Sequence, residues 1–482
     1  MTRGRALALV AAVSLLFHLK GLTAPPLDYH YHRQVNTLDI ARNYARNGLH
    51  FLSPQVDFDG PYRGRTATEF PLYMWLIGLL WPVAGLGEVW GRVLSVGFSA
   101  LGACYLYLFL ERRLTAREAL WASLLFSAIP VQVYFGRTIQ PEALALAGTL
   151  AAFYHFDRYL DDGSALQWAT AVLAAALAIG HKLPYGYMLL PLAGLAYFRR
   201  GWAAFKSPLT LAAAPLCLAG VFAWYKYAST GPYVVPAHAD EFESLLRYKW
   251  FYIQFQMISR LPEIGATWAG VALAVPGSVL LWRRGERFFH LWWVSVAVYI
   301  ALGGAYCFAH EYTSLPWAPV MAAFMGVGAA AGWERARSSS QRAGLAAVVA
   351  LVPILGFFRI KHWYNQNFPH LAGARKAAAQ VSGPDDLFLC NQRASSIDLY
   401  YLDRHGWSFA LAEQGGEQAI PLVQKRIADG ARFFETSRDN FRSDHAAWFD
   451  AHYPKVYDDG LLVIYKLDEK APAVAAKSKR RR

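Results

Sequence analysis

The sequence predicts a polytopic α-helical membrane protein with a small α/β domain near its C-terminal end, and three observations carry that prediction. Hydrophobic residues make up 55% of the 482 residues and charged residues only 17%, where soluble domains carry roughly 25% charge. Apolar runs of about 17 to 22 residues recur along the chain, long enough to cross a hydrocarbon core of about 30 Å as helices. From residue 363 the pattern changes to short strands alternating with helices. The net charge of +13 would suggest nucleic acid in a soluble protein. Here Lys and Arg cluster at span ends, where they set topology and meet headgroups, so no nucleic-acid partner is expected. Cys104, Cys217 and Cys307 lie in apolar runs and Cys390 in the tail, which gives no disulfide framework.

The elements follow in order. Arg3 and Arg5 hold the start of the chain in the cytoplasm. Residues 6–24 read as an uncleaved first span rather than a signal peptide, and either reading puts Asp28 outside. A polar loop then covers 25–69. Within it Val35, Leu38, Ala41 and Tyr44 fall three apart and Gly48 is the stop. This predicts an amphipathic helix in the interface, with Arg33, Arg42 and Arg46 near headgroups. Residues 70–86 are apolar but begin Phe-Pro and contain Pro82, and read as a half-inserted segment. Spans follow at 90–110, 118–135, 143–160, 164–181, 185–198, 208–228, 264–282, 288–307, 313–333 and 343–359. This gives about eleven to twelve transmembrane helices. On this parity the basic clusters at 112–117, 199–200, 283–287 and 335–342 lie inside, and the loops rich in Asp, His and Tyr lie outside. The domain boundaries are therefore 1–362 for the membrane domain, 363–470 for an outer α/β domain and 471–482 for a basic tail. Strands are expected at 387–390, 407–411, 431–435 and 461–465, and helices at 397–404, 418–429 and 445–452.

No P-loop, Rossmann fingerprint, His-Glu-x-x-His or nucleophile elbow is present. An enzyme with its polar loops outside has no nucleotide sugar within reach, so an activated donor would arrive on a lipid. Asp28 stands just past the first span in the run Asp28-Tyr29-His30-Tyr31-His32-Arg33. It reads either as a cap for the next helix or as a general base; Arg33 is placed to tune it, and Tyr29, His30 and His32 to contact substrate. Glu69 precedes Phe70-Pro71 and reads as a charged anchor or a catalytic acid group. Arg137 and Glu142 flank Pro141, to touch phosphate and sugar or to pair with each other. Lys182, beside His181, suits a lipid phosphate or snorkels. His310 and Tyr312 open onto Leu315-Pro316, with room for a phosphate or metal contact. His238, Asp240 and Glu241 are a candidate divalent metal cluster, for Mg or Mn, or a solvated helix start.

Taken in order, these pieces resemble a known family. They are an Asp after the first span, an acid before a Pro-rich entry, an Arg-x-x-x-Pro-Glu turn from Arg137 to Glu142, Lys182-Leu183-Pro184, and His-x-Tyr-x-x-Leu-Pro-x-x-Pro from His310. The arrangement over about 1–360 resembles the GT-C membrane glycosyltransferases, in the branch of protein-mannosyltransferase-like and aminoarabinose-transferase-like proteins. The resemblance implies a polyprenyl-phosphate-sugar donor and a lipid, glycan or protein acceptor, joined with inversion on the periplasmic side of a bacterial inner membrane, in the building of a cell-envelope glycan. It implies Asp28 as the catalytic acid of the first loop, Arg137, Lys182 and His310 near the donor phosphate, and Glu142 near the reacting groups. One departure is visible. Aminoarabinose-type relatives carry Lys-Pro-Pro where this chain has Glu69-Phe70-Pro71, which turns Glu69 toward acceptor or metal. The alternative function is a flippase of lipid-linked sugars, which needs the same basic contacts but no base; the inverted repeats of many transporters are not visible.

Overall fold

The computed structural model describes residues 1–62, 64–66, 68–83, 85, 87–230, 249–393, 395–414 and 416–469. These fall into two compact units. One is drawn from Met1–Tyr29, Ala67–Gly231 and Val235–Asn365, the other from His30–Thr66 and Gln366–Arg482. The polar loop from His30 thus groups with the C-terminal part of the chain rather than with the spans it interrupts.

The first unit is helical. Its long helices are Arg3–His18, Gly87–Glu111, Ala116–Ala128, Glu142–Asp162, Ala165–His181, Pro208–Ala228, Trp268–Arg283, Phe288–Ala309, Trp317–Arg335 and Ser339–Ile360. They follow the expected spans closely, because each is an apolar run bounded by its own start and stop signals. Thr115 with Glu118 and Ser338 with Gln341 form capping boxes, and Gly163 ends its helix in a left-handed conformation. Pro130 splits 118–135 into Ala116–Ala128 and Pro130–Phe135. Leu72–Leu80 has 9 residues, about 14 Å of helix, and cannot cross alone, in keeping with a half-inserted segment. Among the described residues, 4 helices are long and apolar enough to cross a membrane, or 5 with the pair around Thr267, which bends by 105°. The other expected spans are shorter, kinked or carry more charge.

Helices in lipid gain little from the hydrophobic effect and associate by close packing. Trp317–Arg335 is buried along most of its length and shows how. A Cβ on Gly328 would run into the carbonyl of Leu273, one on Gly277 into that of Phe324, and one on Gly326 into the backbone of Ala122. Backbone meets backbone on two sides of this helix. The turns also sort by end. At one end Arg112 binds Asp157 at 2.5 Å, Arg113 reaches Asp157 and Glu286 at 3.3 Å, and Arg199 lies 3.5 Å from Asp157. Arg284 pairs with Glu118 at 2.6 Å. Three of the four clusters that parity placed on one side, 112–117, 199–200 and 283–287, therefore share acidic partners at this end.

The second unit holds a five-stranded sheet. In chain order its strands are β1 (Leu387–Cys390), β2 (His405–Ser408), β3 (Phe433–Ser437), β4 (Lys455–Asp458) and β5 (Leu462–Lys466), arranged β2-β1-β3-β5-β4. β2, β1 and β3 are parallel; β3, β5 and β4 are antiparallel. Four strands answer the expected segments, and the short edge strand β4 was not among them. Helix Tyr31–Asn47 belongs to this unit, stopping at Gly48 with φ +92° as expected, but its arginines correct the headgroup expectation. Arg42 is 1% exposed and binds Asp57 at 2.6 Å, Asp39 at 3.3 Å and Asp403 at 3.2 Å. It also donates to the Tyr400 carbonyl at 2.7 Å, while Arg46 binds Asp403 at 2.7 Å. Despite burial, Arg42 holds the Asp57 carboxyl below its usual range. Burial and the Asp57 charge push Asp39 above its own. An arginine on an amphipathic helix reads as a headgroup contact until partners hundreds of residues away supply a dry site.

Two outcomes are expected. Gly328→Leu should prevent assembly of the first unit, read as loss of a monodisperse peak in detergent size-exclusion chromatography, whereas Gly344→Leu, whose Cβ meets nothing within 4 Å, should not. Arg42→Met strands two buried carboxylates and should destabilise the second unit by about 3–5 kcal/mol, read by denaturant unfolding.

Candidate active site

The chemistry-bearing residues of the first unit gather at the end opposite the Asp157 network. After helix Arg3–His18 the chain turns through Gly21, with φ +74°, and delivers Asp28. This carboxylate is 1% exposed. Arg137 Nη2 lies 2.5 Å and Arg92 Nη2 3.5 Å from its Oδ2. Each arginine is also tied to backbone: Arg92 donates to the Pro25 carbonyl at 3.3 Å and Arg137 to that of Gly21 at 3.5 Å. Arg137 lies over the rings of Tyr134 and Tyr364, 4.7 Å and 4.5 Å from their centroids, a favourable place for a buried guanidinium.

The turn that carries Arg137 is fixed from several sides. Ser99 donates to the Gly136 carbonyl and Ser95 to that of Thr138, each at 2.7 Å. Gly136 lies against the His18 ring, and a Cβ there would clash with it. Tyr134 donates to the carbonyls of Tyr29 at 3.1 Å and Trp363 at 2.9 Å. Arg92 Nε and Nη1 and Arg137 Nε are buried and find no hydrogen-bond acceptor among the described residues. Two cations with spare donors converging on one anion make a locally positive, partly unsatisfied group, the electrostatics that an anion such as a phosphate would complete.

A second cluster lies at the same end. Lys182 Nζ is 3.0 Å from Glu142 Oε1 and 4.8 Å from the centroid of the Tyr312 ring. His310 stacks on Tyr312 at 5.2 Å, and the hydroxyls of Tyr306 and Tyr312 are 3.0 Å apart. Arg137 and Glu142 thus each bind a different partner, Asp28 and Lys182, rather than each other. In a third group Tyr29 donates to Glu311 at 2.8 Å and Arg260 pairs with Glu311 at 3.2 Å. Burial and the Glu311 charge raise the Tyr29 phenol, so it stays protonated and donating. Glu69 accepts from the Thr68 hydroxyl at 2.7 Å. The following Phe70 packs edge-on against His181 and Trp224.

Of the expected site residues, Asp28 and Arg137 come together, as do Glu142, Lys182, His310 and Tyr312. Arg33, His30 and His32 belong to the second unit; there His30 sits at the start of helix Tyr31–Asn47 with φ 61°. His32 lies against the Tyr31 ring, and burial lowers it to about 4. The metal candidates His238, Asp240 and Glu241 lie outside the described residues. Arg92, Arg260, Tyr134 and Tyr364 were not anticipated. Arg92 stands in the first turns of helix Gly87–Glu111, where a charge at a span's end gives only a weak signal; the tyrosines gave none.

Residues 66–226 match the family model described as dolichyl-phosphate-mannose-protein mannosyltransferase. A comparison with curated proteins gives no match. Among solved structures the chain is similar to ArnT from Cupriavidus metallidurans in the apo state, at TM-score 0.64 and 15% identity, covering 96% of this chain and 98% of that one. It is similar to the same protein bound to undecaprenyl phosphate, at TM-score 0.63 and 15% identity over 95% and 97% of the two chains. The Archaeoglobus fulgidus oligosaccharyltransferase tethered with an acceptor peptide gives TM-score 0.55 and 12% identity over 98% of this chain and 75% of that one. The chain therefore has the GT-C fold of membrane glycosyltransferases and is a multi-pass membrane protein.

A double-mutant cycle tests the Asp28–Arg137 pair. Arg137→Met should lower stability by about 3–5 kcal/mol, because it leaves a buried carboxylate without its close partner. Asp28→Asn in the same background should restore part of the loss, with a coupling of about 0.5–3 kcal/mol by thermal or denaturant unfolding in detergent.

Proposed function

We propose that this chain is a membrane glycosyltransferase that moves a sugar from a polyprenyl-phosphate-linked donor to an acceptor, with Asp28 as general base. The observation that carries the reading is the buried Asp28 held between Arg137 and Arg92, whose spare donors remain. The match over residues 66–226 and the likeness to a protein bound to undecaprenyl phosphate support the donor class. The sugar, whether hexose or pentose, and the acceptor, whether lipid, glycan or protein, stay open within this proposal.

The donor phosphate docks against Arg92 and Arg137, satisfies their free N–H groups and draws Arg137 off Asp28. The released carboxylate then takes the proton of the acceptor hydroxyl or amine as that atom attacks the anomeric carbon. The bond from anomeric carbon to phosphate oxygen breaks, and the lipid phosphate leaves with its charge spread over the two guanidiniums. One displacement inverts the anomeric configuration. Lys182, anchored by Glu142 and set over Tyr312, is a further cation for donor or product, with His310 beside it. Glu69, at the entry before Phe70, is the candidate acceptor contact. Eleven crossings would put this end on the periplasmic face of a bacterial inner membrane.

Transfer of labelled sugar from polyprenyl-phosphate-sugar in membranes, at matched expression, tests the assignment. Asp28→Asn should cut transfer by about 10²–10⁴-fold, the range of a lost general base, with donor binding retained. Normal transfer by Asp28→Asn would remove Asp28 from the chemical step. Passage of lipid-linked sugar across the bilayer with no transfer by either protein would turn the reading to a flippase.

A further inference from the structure

Three side chains of metal-ligating type converge inside the second unit. His370 comes from the helical turn Pro369–Gly373, Asp398 from the first turn of helix Ile397–Leu402, and Glu435 from the middle of β3. They are 7%, 2% and 0% exposed, and one ligand atom from each lies within 4.8 Å of the others. Cys390, the last residue of β1 and fully buried, is the register partner of Glu435. Register partners on adjacent strands face the same side of a sheet, which puts the thiol beside the carboxylate.

The charges here are not balanced by the chain. Glu435 Oε1 and Oε2 and Asp398 Oδ1 find no backbone or basic donor among the described residues; the groups within reach of Glu435 are Asp398 and the Cys390 thiol. No Lys or Arg among them pairs with either acid, and His370 Nε2 stands 4.0 Å from Asp398, beyond hydrogen-bonding range. Carboxylates in a dry interior are kept by a cation or by a proton. The donor set decides between cations. Imidazole, carboxylate and thiolate together suit zinc, whereas magnesium and calcium take oxygen alone. A tetrahedral ion about 2.1 Å from each ligand would hold them roughly 3.4 Å apart. Closing from 4.8 Å asks for movements of about an ångström, which side-chain rotation supplies.

We propose that His370, Asp398 and Glu435 form a structural site for zinc or a divalent transition metal of its class, with the Cys390 thiol, outside that 4.8 Å cluster but beside Glu435, as the ligand that would have to move in to complete it. Binding displaces protons from the acids and the thiol into solvent. The site joins the segment leaving the last long helix, at Pro369–Gly373, to helix Ile397–Leu402 and to the centre of the sheet. It uses other residues and another class of metal than the expected His238, Asp240 and Glu241 set, and it does not depend on the glycosyltransferase reading. The rival state of the same cluster is a pair of buried acids sharing a proton; burial already pushes Asp398 up to about 7.

The experiment uses the full-length protein in detergent with any affinity tag removed, stripped by a chelator and then given Zn²⁺ alone. The expected result is one zinc retained per chain by elemental analysis, with a higher unfolding temperature. Glu435→Gln, which keeps shape and removes charge, should weaken zinc retention at least tenfold, as should His370→Ala. Absence of zinc uptake by the wild type overturns the proposal. So does zinc retention unchanged in Glu435→Gln, which would place the ion elsewhere. If Glu435→Gln instead matches or exceeds the wild type in stability and zinc changes neither, the shared proton is the answer and the metal site is ruled out.

Discussion

A carboxylate buried among helices persists only against a cation, and in the first unit Asp28 persists against two. The contact with Arg137 joins the chain just after the first helix to the turn at 136–142, and Arg92 adds the helix Gly87–Glu111. Arg137 in turn lies on Tyr134 and Tyr364, and Tyr134 holds the carbonyls of Tyr29 and Trp363. Those carbonyls stand next to the two places, after Tyr29 and after Asn365, where the chain passes to its second unit. The same few side chains therefore fix the candidate base and the exits of the helical unit. Losing the ion pair would loosen both, which is why a change in activity at Arg137 has to be read beside stability.

Catalysis by positioned charge needs dipoles that do not reorganise when substrate arrives. The close backbone packing around Gly277, Gly326 and Gly328 gives the helices that rigidity without spending polar groups in the apolar layer. Polar side chains are instead concentrated at the two ends. One end neutralises itself through Arg112, Arg113, Arg199, Asp157 and Glu286. The other keeps arginine donors unsatisfied around Asp28. Arg113 Nε is left without an acceptor among the described residues too, so the ends differ in charge balance: paired charges suit a structural role, and two guanidiniums on one carboxylate suit an anionic ligand.

The division between what the sequence disclosed and what it hid follows the range of the interactions involved. Spans were legible because an apolar run, a capping box and a following basic cluster are all local. Asp28, Arg137, Glu142 and Lys182 stood out because each is polar beside apolar segments, but their pairing was not visible. The pairing Arg137 with Asp28 spans 109 positions, and nothing near either residue signals the other. Arg42 failed in the opposite sense, since its local context suggested a headgroup and only Asp57 and Asp403 make it a buried anchor. β4 escaped because Lys455–Asp458 is a 4-residue edge strand, half polar, which holds its place by pairing with β5.

Three buried acid clusters now stand in order of how far the chain itself answers their charge. Asp39 and Asp57 share Arg42 and receive further bonds from Ser396 and Asn43, so both carboxylates are answered and only Arg42 Nε lacks an acceptor among the described residues. Asp28 faces more cation than it can use, with guanidinium donors left over, so what would complete it is an anion. Asp398 and Glu435 face no Lys or Arg among the described residues and carry unsatisfied oxygens, so what would complete them is a cation or a proton. Buried polar groups left unsatisfied are costly, and a folded chain that leaves opposite kinds unsatisfied in two places has room for two different ligands. The sign of the surplus names the kind of each. At Asp28 the surplus is positive and suits an anionic ligand; in the sheet it is negative and suits a cation or a proton.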